Sequence, residues 1–349
     1  MTDAGSNDML ISSTIAGLLV ELRFTPQSTA DAALLRSLKP FITSEGGSDA
    51  MPLLTLTVDN KMKRDRTATL IRSFDTGNGD TIVSRLADGG YQYIICNLRG
   101  EACCLLECHN RFTQCRCALR GHTTNRFFGL NNALMMAFAF AASYHETALI
   151  HASCIMKGQW GYPFIAKSGT GKSTHTALWM QCIEGCELLN DDNPIVRIVD
   201  GQPFIYGSPW SGKTPCYRNR QARLGAMTRI ERSLHNHCDP LSPAQAFASL
   251  LPACSSMQWD EEIHSNLCNL ITRIIETTPC YTMHCLPNEE AAMVCHQTVS
   301  RQRETTTTKT SRPGQWPTTC CCPPSLHSCR PTPARLIRCP CEATACGRS

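Results

Sequence analysis

Between residues 164 and 174 the chain reads F-I-A-K-S-G-T-G-K-S-T, a spacing suited to holding phosphate. Gly169 and Gly171 carry no Cβ, so backbone N–H groups there can curl around anionic oxygens. The apolar run from Tyr162 to Ile165 reads as a strand entering the loop. His175 to Ile183 reads as a helix leaving it, with its N-terminus aimed at the same anion. In the pattern G-x-x-x-x-G-K-[ST], Lys172 reaches the β- and γ-phosphates and the Ser173 hydroxyl ligates Mg²⁺. Ser168, Gly169, Thr170, Gly171, Lys172, Ser173 and Thr174 are therefore the candidate nucleotide-binding residues. Ala166 stands where that pattern has its first glycine. The plainer reading is a glycine turn between a strand and a helix.

A second group follows in C-E-L-L-N-D-D (186–192), a short apolar strand ending in two carboxylates. A phosphate loop needs a carboxylate at the end of a neighbouring strand to hold Mg²⁺. Two adjacent carboxylates allow one to hold the metal, directly or through water, while the other accepts a proton from an attacking hydroxyl. The same N-D-D-N-P stretch would also suit a solvated turn. Lys213 follows the turn-rich G-S-P-W-S-G, where an amine would meet phosphate or an acidic substrate. It is a third catalytic candidate beside Lys172 and the aspartate pair. Arg218 and Arg220 lie close behind, and a guanidinium suits bidentate phosphate recognition, so both are nucleotide-binding candidates. Exposed surface charge is the simpler reading of all three cations. Trp210 reads equally as a pocket wall or as core. His151 sits in the apolar A-L-I-H-A-S-C-I-M (148–156), where a lone histidine is more often packed than ligating.

The elements around these residues fall into three segments. Residues 1–125 read as a small β-rich module of antiparallel hairpins. Its runs are Ile11–Leu22, Leu53–Val58, Thr67–Phe74, Thr81–Leu86, Tyr91–Leu98 and Ala102–Cys108, separated by Gly46-Gly47, Asp75–Asp80, Gly89-Gly90 and Gly100. Residues 126–300 hold the phosphate loop. A buried helix is expected near 127–145, a hairpin at 195–199 and 203–206, and a strand over 222–231. Helices are expected over 243–252 and 260–276, then a strand over 281–286 and a closing helix over 288–299. From 301 to 349 the composition turns to Thr, Pro, Arg and Cys without apolar periodicity. That predicts a disordered tail, with a metal-binding tail or an out-of-frame translation as alternatives.

Composition narrows the class. The 349 residues are 42% hydrophobic and 18% charged, with a net charge of +4 and no long Lys/Arg run. An ordinary globular protein is expected, with no nucleic-acid partner. Asp3 and Asp8 precede the first apolar run, which argues against a secretory signal. The stretch from Phe127 to Ala142 is short for a membrane span and holds Asn131 and Asn132, so no membrane partner is expected. Of the 23 cysteines, many lie inside apolar runs, where a reduced thiol acts as a small hydrophobe; this fits a cytoplasmic chain. Cys103, Cys104, Cys108, Cys115 and Cys117 have no paired C-x-x-C spacing, and packing is the favoured reading over zinc.

Taken in order, H-A-S-C-I, A-K-S-G-T-G-K-S-T, L-L-N-D-D and G-S-P-W-S-G-K resemble the HPr kinase/phosphatase and phosphoenolpyruvate carboxykinase superfamily, over roughly residues 148–299. The resemblance is strongest to the bacterial HPr-kinase-related proteins. It implies an α/β (α+β) nucleotide-binding fold with a mixed sheet, distinct from doubly wound P-loop proteins. It also implies ATP, Mg²⁺ or Mn²⁺, and phosphoryl transfer. By position it makes Asp191 the acid/base, Asp192 and Ser173 metal ligands, and His151 a metal-binding histidine. Thr174-His175 stands where the HPr kinases carry an acidic residue, so the phosphatase half-reaction is not implied. The expected activity is an ATP-dependent kinase acting on a hydroxyl of a small molecule or a protein serine. A carboxykinase-like enzyme and a non-catalytic ATP-sensing module are the alternatives. The acceptor is left open, as is assembly into a homo-oligomer.

Overall fold

Strands in this chain follow an inside–outside alternation. In L-T-L-T-V the leucines and the valine are buried and the threonines only partly so, the period-two pattern of a sheet with one face on a core. The computed structural model describes residues 8–43, 51–212 and 214–310. Strands β1 (Met9–Ile15) and β2 (Leu18–Phe24) form a hairpin. Ala16 and Gly17 both take positive φ at its turn, 51° and 75°, as a tight two-residue hairpin loop demands. Then come β3 (Leu54–Val58), β4 (Thr69–Asp75), β5 (Asp80–Arg85), β6 (Tyr91–Cys96), β7 (Ala102–His109) and β8 (Gln114–Leu119). They complete one sheet in the order β1-β2-β3-β8-β7-β6-β5-β4.

This sheet is not purely antiparallel, as the hairpin reading had it: β2–β3 and β3–β8 are parallel. The chain between β2 and β3 includes two short 3₁₀ helices, Thr29–Leu34 and Arg36–Phe41. A connection that long permits a parallel crossover where a tight turn would not.

Helix α1 (Thr123–Ala142) packs on β7 and β8. Among the described residues it belongs to the one helix long and apolar enough to cross a membrane. Here it is a core element, with Leu130, Leu134, Ala137 and Phe138 at 1% exposure or less. The five clustered cysteines are buried as well, and Cys104, Cys108, Cys115 and Cys117 belong to the same apolar core.

The second half comprises β9 (Thr147–Leu149), β10 (Ala152–Lys157), β11 (Trp160–Ile165), α2 (Lys172–Cys182), β12 (Cys186–Asp192), β13 (Ile195–Val199) and β14 (Gln202–Tyr206). It continues with β15 (Gln221–Leu224), β16 (Met227–Arg232), β17 (His237–Pro240), α3 (Pro243–Leu250), α4 (Glu261–Thr277), β18 (Cys280–Cys285) and α5 (Glu289–Thr310). The stretch expected as one strand over 222–231 is therefore two. The closing helix runs on to Thr310, so residues 301–310 are helical rather than the start of a disordered tail. Residues 311–349, with the remaining tail expectations and their cysteines, lie outside the described residues.

These strands form a mixed sheet in the order β17-β18-β16-β11-β15-β14-β13-β9, with β10 between β11 and β12. The fold is thus mixed α/β. Both faces of this sheet are covered. On one face, Cys154, Met156 and Ile165 pack with Leu250 of α3 and Leu267, Leu270 and Ile274 of α4. On the other, Ile155, Tyr162 and Phe164 pack with Trp179 of α2 and Ala291, Cys295 and Val299 of α5. Alternate residues of β10 and β11 thus serve opposite cores, which explains why apolar residues dominate both strands. A third core joins the first sheet and α1 to Leu149, Ile195, Tyr206, Trp210 and Ile263 of the second half.

Candidate functional site

Strand β11 ends at Ile165 and α2 begins at Lys172, so the glycine loop spans the gap between a buried strand and a helix N-terminus. Gly169 and Gly171 take φ values of 77° and 128°, which residues with a Cβ rarely tolerate. The N-cap of α2 is Gly171, which offers no side-chain acceptor. The first-turn N–H groups have no intrahelical partner and face the side on which an anion would be stabilised.

Packing fixes the direction of α2. Trp179 is fully buried and its indole N–H donates to His175 Nε2 at 3.1 Å. Phe164 of β11 meets both rings edge-on, at 4.8 and 5.2 Å between centroids. Burial pushes the His175 pKa down to about 4, so the ring is a neutral acceptor. The hydroxyls of Ser153 on β10 and Thr176 on α2 lie 3.1 Å apart in the interior.

Strand β12 runs antiparallel to β10, with Ser153 opposite Asp191 and Ala152 opposite Asp192. That pairing carries both carboxylates, and His151 just before β10, to the mouth of the loop. Five of the expected residues meet there. Ser173 Oγ donates to Asp191 Oδ1 at 3.0 Å. Lys172 Nζ lies 2.8 Å from His151 Nε2 and 3.2 Å from the Ala166 carbonyl oxygen, to which it donates. His151 Nδ1 lies 3.1 Å from Asp192 Oδ1. A charged lysine donates to Nε2, which leaves the ring proton on Nδ1, directed at Asp192. Burial lowers the Lys172 pKa, and the charges of Asp192 and Asp191 oppose that shift. The serine hydroxyl thus pairs with Asp191, and the histidine with Asp192.

Asp191 is 4% exposed and held from several sides. Its backbone carbonyl accepts from Gly212 N–H at 2.5 Å and from Ser211 Oγ at 2.9 Å. Its Oδ2 accepts from Thr214 N–H at 3.3 Å. Asn190, fully buried, anchors the same G-S-P-W-S-G segment. Its Nδ2 donates to Ser208 Oγ and the Trp210 carbonyl at 3.2 and 3.0 Å, and its Oδ1 accepts from Asn193 N–H at 2.9 Å. Trp210 is 2% exposed and packs on Phe138 of α1 at 5.4 Å, so it belongs to the core rather than to a pocket wall. Lys213 lies outside the described residues.

Arg218 and Arg220 are not brought to the loop. Both donate to Glu187 Oε2, at 2.8 and 2.7 Å, near the opposite end of β12 from the aspartates. Glu187 and Asp191 are four residue steps apart along the strand, about 13 Å at the usual rise. Thr174 is exposed in the first turn of α2, and Ser168 is exposed in the loop.

Beside the loop lies an open cavity of about 850 Å³, bounded by His151, the loop, Arg229, Glu231, Arg232 and the α3 end near Ser249. The guanidinium of Arg232, on β16, donates to the carbonyl oxygens of Gly169 and Thr170 at 2.6 and 3.2 Å. Arg229 pairs with Glu231 on the same strand. Sequence reasoning missed Arg232 and Asn190. Asn190 left a signal, a lone amide inside an apolar strand, which must find partners if it is buried. Arg232 left none, because R-I-E-R reads as the outward face of any strand.

No protein-family model matches the chain, and no curated protein matches it. Among solved structures, the chain is similar to the Hpr(Ser) kinase/phosphatase from Coxiella burnetii at 11% identity, over 47% of this chain and 94% of that one, with a TM-score of 0.29. The likeness is weak and partial.

Proposed function

We propose that the site binds ATP with a divalent cation and transfers the γ-phosphoryl group to a hydroxyl. One observation carries this reading: Lys172, Ser173, Asp191, Asp192 and His151 converge on the uncapped N-terminus of α2, beside two glycines of positive φ. In this reading the loop amides and Lys172 hold the phosphate oxygens, and the cavity beside them receives the rest of the nucleotide or the acceptor. Its volume is of the size that small-molecule sites use.

The donor set suits a hard cation. Ser173 Oγ and Asp191 Oδ1 are 3.0 Å apart. Adjacent oxygens around an octahedral ion with bonds of about 2.1 Å stand about 3 Å apart, so the pair fits Mg²⁺. We therefore assign Ser173 and Asp191 to the cation and Asp192 to the proton, reversing the split that the sequence resemblance implied. Bound there, Mg²⁺ supplies positive charge to the phosphate oxygens. Asp192, oriented by the Nδ1–H of His151, takes the proton as the acceptor oxygen bonds to the γ-phosphorus. The bond to the bridging oxygen breaks and ADP leaves. Such catalysis is mostly positioning and charge stabilisation.

The test is nucleotide affinity. Lys172→Ala removes a charge-assisted contact worth about 1.5–3 kcal/mol, so the ATP dissociation constant should rise roughly 10- to 150-fold. Calorimetric titration of the folded variant gives the answer; an unchanged constant would remove the phosphate-binding role of the loop. Binding without turnover on any hydroxyl acceptor would leave an ATP-sensing module.

A further inference from the structure

We propose that His237, Asp239 and His284 form a second metal site, for a divalent transition-metal cation, on the sheet edge at β17 and β18. Its three ligands lie outside the nucleotide site, although Glu231, behind His284, also bounds the cavity there. His237 and His284 are direct cross-strand partners. Asp239 lies two residues beyond His237, hence on the same face. The imidazoles stack with centroids 4.5 Å apart and planes 11° from parallel. Asp239 Oδ2 lies 3.6 Å from His237 Nε2 and 4.0 Å from His284 Nε2. One donor atom from each residue falls within 4.8 Å of the others. Donors around a tetrahedral ion with bonds of about 2.1 Å stand about 3.4 Å apart. Each nitrogen lone pair lies in its own ring plane, so closing the set takes rotation of at least one imidazole out of the stack.

Two further features favour a cation over a chance row of surface residues. First, the ligand types are right: two imidazoles with one carboxylate suit Zn²⁺, Co²⁺ or Ni²⁺, and not Mg²⁺ or Ca²⁺. Second, the other nitrogen of one ligand is already engaged. His284 Nδ1 lies 3.5 Å from Glu231 Oε2, on the neighbouring strand β16. A carboxylate behind a ligating histidine fixes its ring and raises its basicity. Glu231 is itself tied by Arg229. The three side chains are 50%, 60% and 28% exposed. Such a site is reachable from solvent, and its fourth position is left to water or a ligand.

The simpler account is an edge strand made polar to discourage pairing with other chains. Co²⁺ titration of the full chain without nucleotide separates the two. The wild type should bind one equivalent more than His237→Ala, His284→Ala or Asp239→Asn. Cysteine thiols are common to all these proteins, so the difference isolates the site. Glu231→Gln should keep that equivalent and weaken it roughly 10- to 100-fold. His237 is on an exposed edge, so its variant decides the matter even if His284→Ala fails to fold. Equal stoichiometry and equal affinity in the wild type and His237→Ala would overturn the proposal.

Discussion

Asp192 is held at a φ of 124°. A side-chain-bearing residue there costs on the order of 1–3 kcal/mol, which the surroundings must offset. They do so through the ring of His151, through Asn193, whose Nδ2 donates to Asp192 Oδ2 at 2.6 Å, and through an isolated β-bridge to Ser211. The strain turns two consecutive carboxylates to different partners, whereas regular strand alternation would send them to opposite faces. This gives the pair separable roles. Asp191→Asn should raise the Mg²⁺ concentration needed for half-maximal rate. Asp192→Asn should lower metal-saturated turnover by roughly 10²–10⁴-fold and leave Mg–ATP binding nearly unchanged. Steady-state rates across a Mg²⁺ series check both. The opposite pattern would restore the assignment that the sequence resemblance implied, and no effect from either would leave the pair a structural role only.

At the scale of elements, α2 owes its placement to a neutral imidazole. The His175 pKa is about 4 in the folded chain, below its ordinary value of 6.5. The unfolded chain therefore binds the proton first, and stability falls as pH drops from about 6.5 toward 4. The full shift corresponds to about 3 kcal/mol. Urea unfolding of the wild type and of His175→Gln at pH 7 and pH 4.5 should show the wild type losing more, by roughly 2 kcal/mol or somewhat above. Equal losses would mean that the ring is protonated without cost.

The strands and helices beside the site were legible in the sequence because their signals are local. Glycines of positive φ, a lysine after them and paired carboxylates at a strand end all lie within short windows. Arg218 and Arg220 misled for the opposite reason. They sit close to Lys213 in sequence, yet in the fold both side chains reach Glu187. Strand β8, Q-C-R-C-A-L, went unnoticed because its inward positions are cysteines rather than branched residues. The break between Leu224 and Met227 did leave a signal, Gly225, which the single-strand reading passed over.

Over the whole molecule, the residues before and after 125 share a core through α1. Its Phe138 is fully buried and touches Trp210, in the segment that Asn190 and Asp191 anchor. Phe138→Ala should therefore cost about 3–5 kcal/mol. Unfolding followed by circular dichroism and by tryptophan fluorescence should still give one coincident transition. Two separated transitions would show that the halves fold independently. Long-range arrangement of this kind was not legible, since no local pattern says that an N-terminal sheet and α1 will share a core with β9, β13 and β14.

The grip of Arg232 on the loop has a kinetic meaning. A peptide plane that turns its oxygen toward a guanidinium turns its N–H the other way. Holding the oxygen of Thr170 thus sets the direction of the Gly171 N–H before any anion arrives, while the Thr170 N–H is held by the Lys167 carbonyl oxygen at 3.2 Å. The loop loses its freedom during folding, so that entropy is not lost again when phosphate is bound. Association should then run in a single step, with observed rates rising in proportion to nucleotide concentration and no plateau from a slow rearrangement.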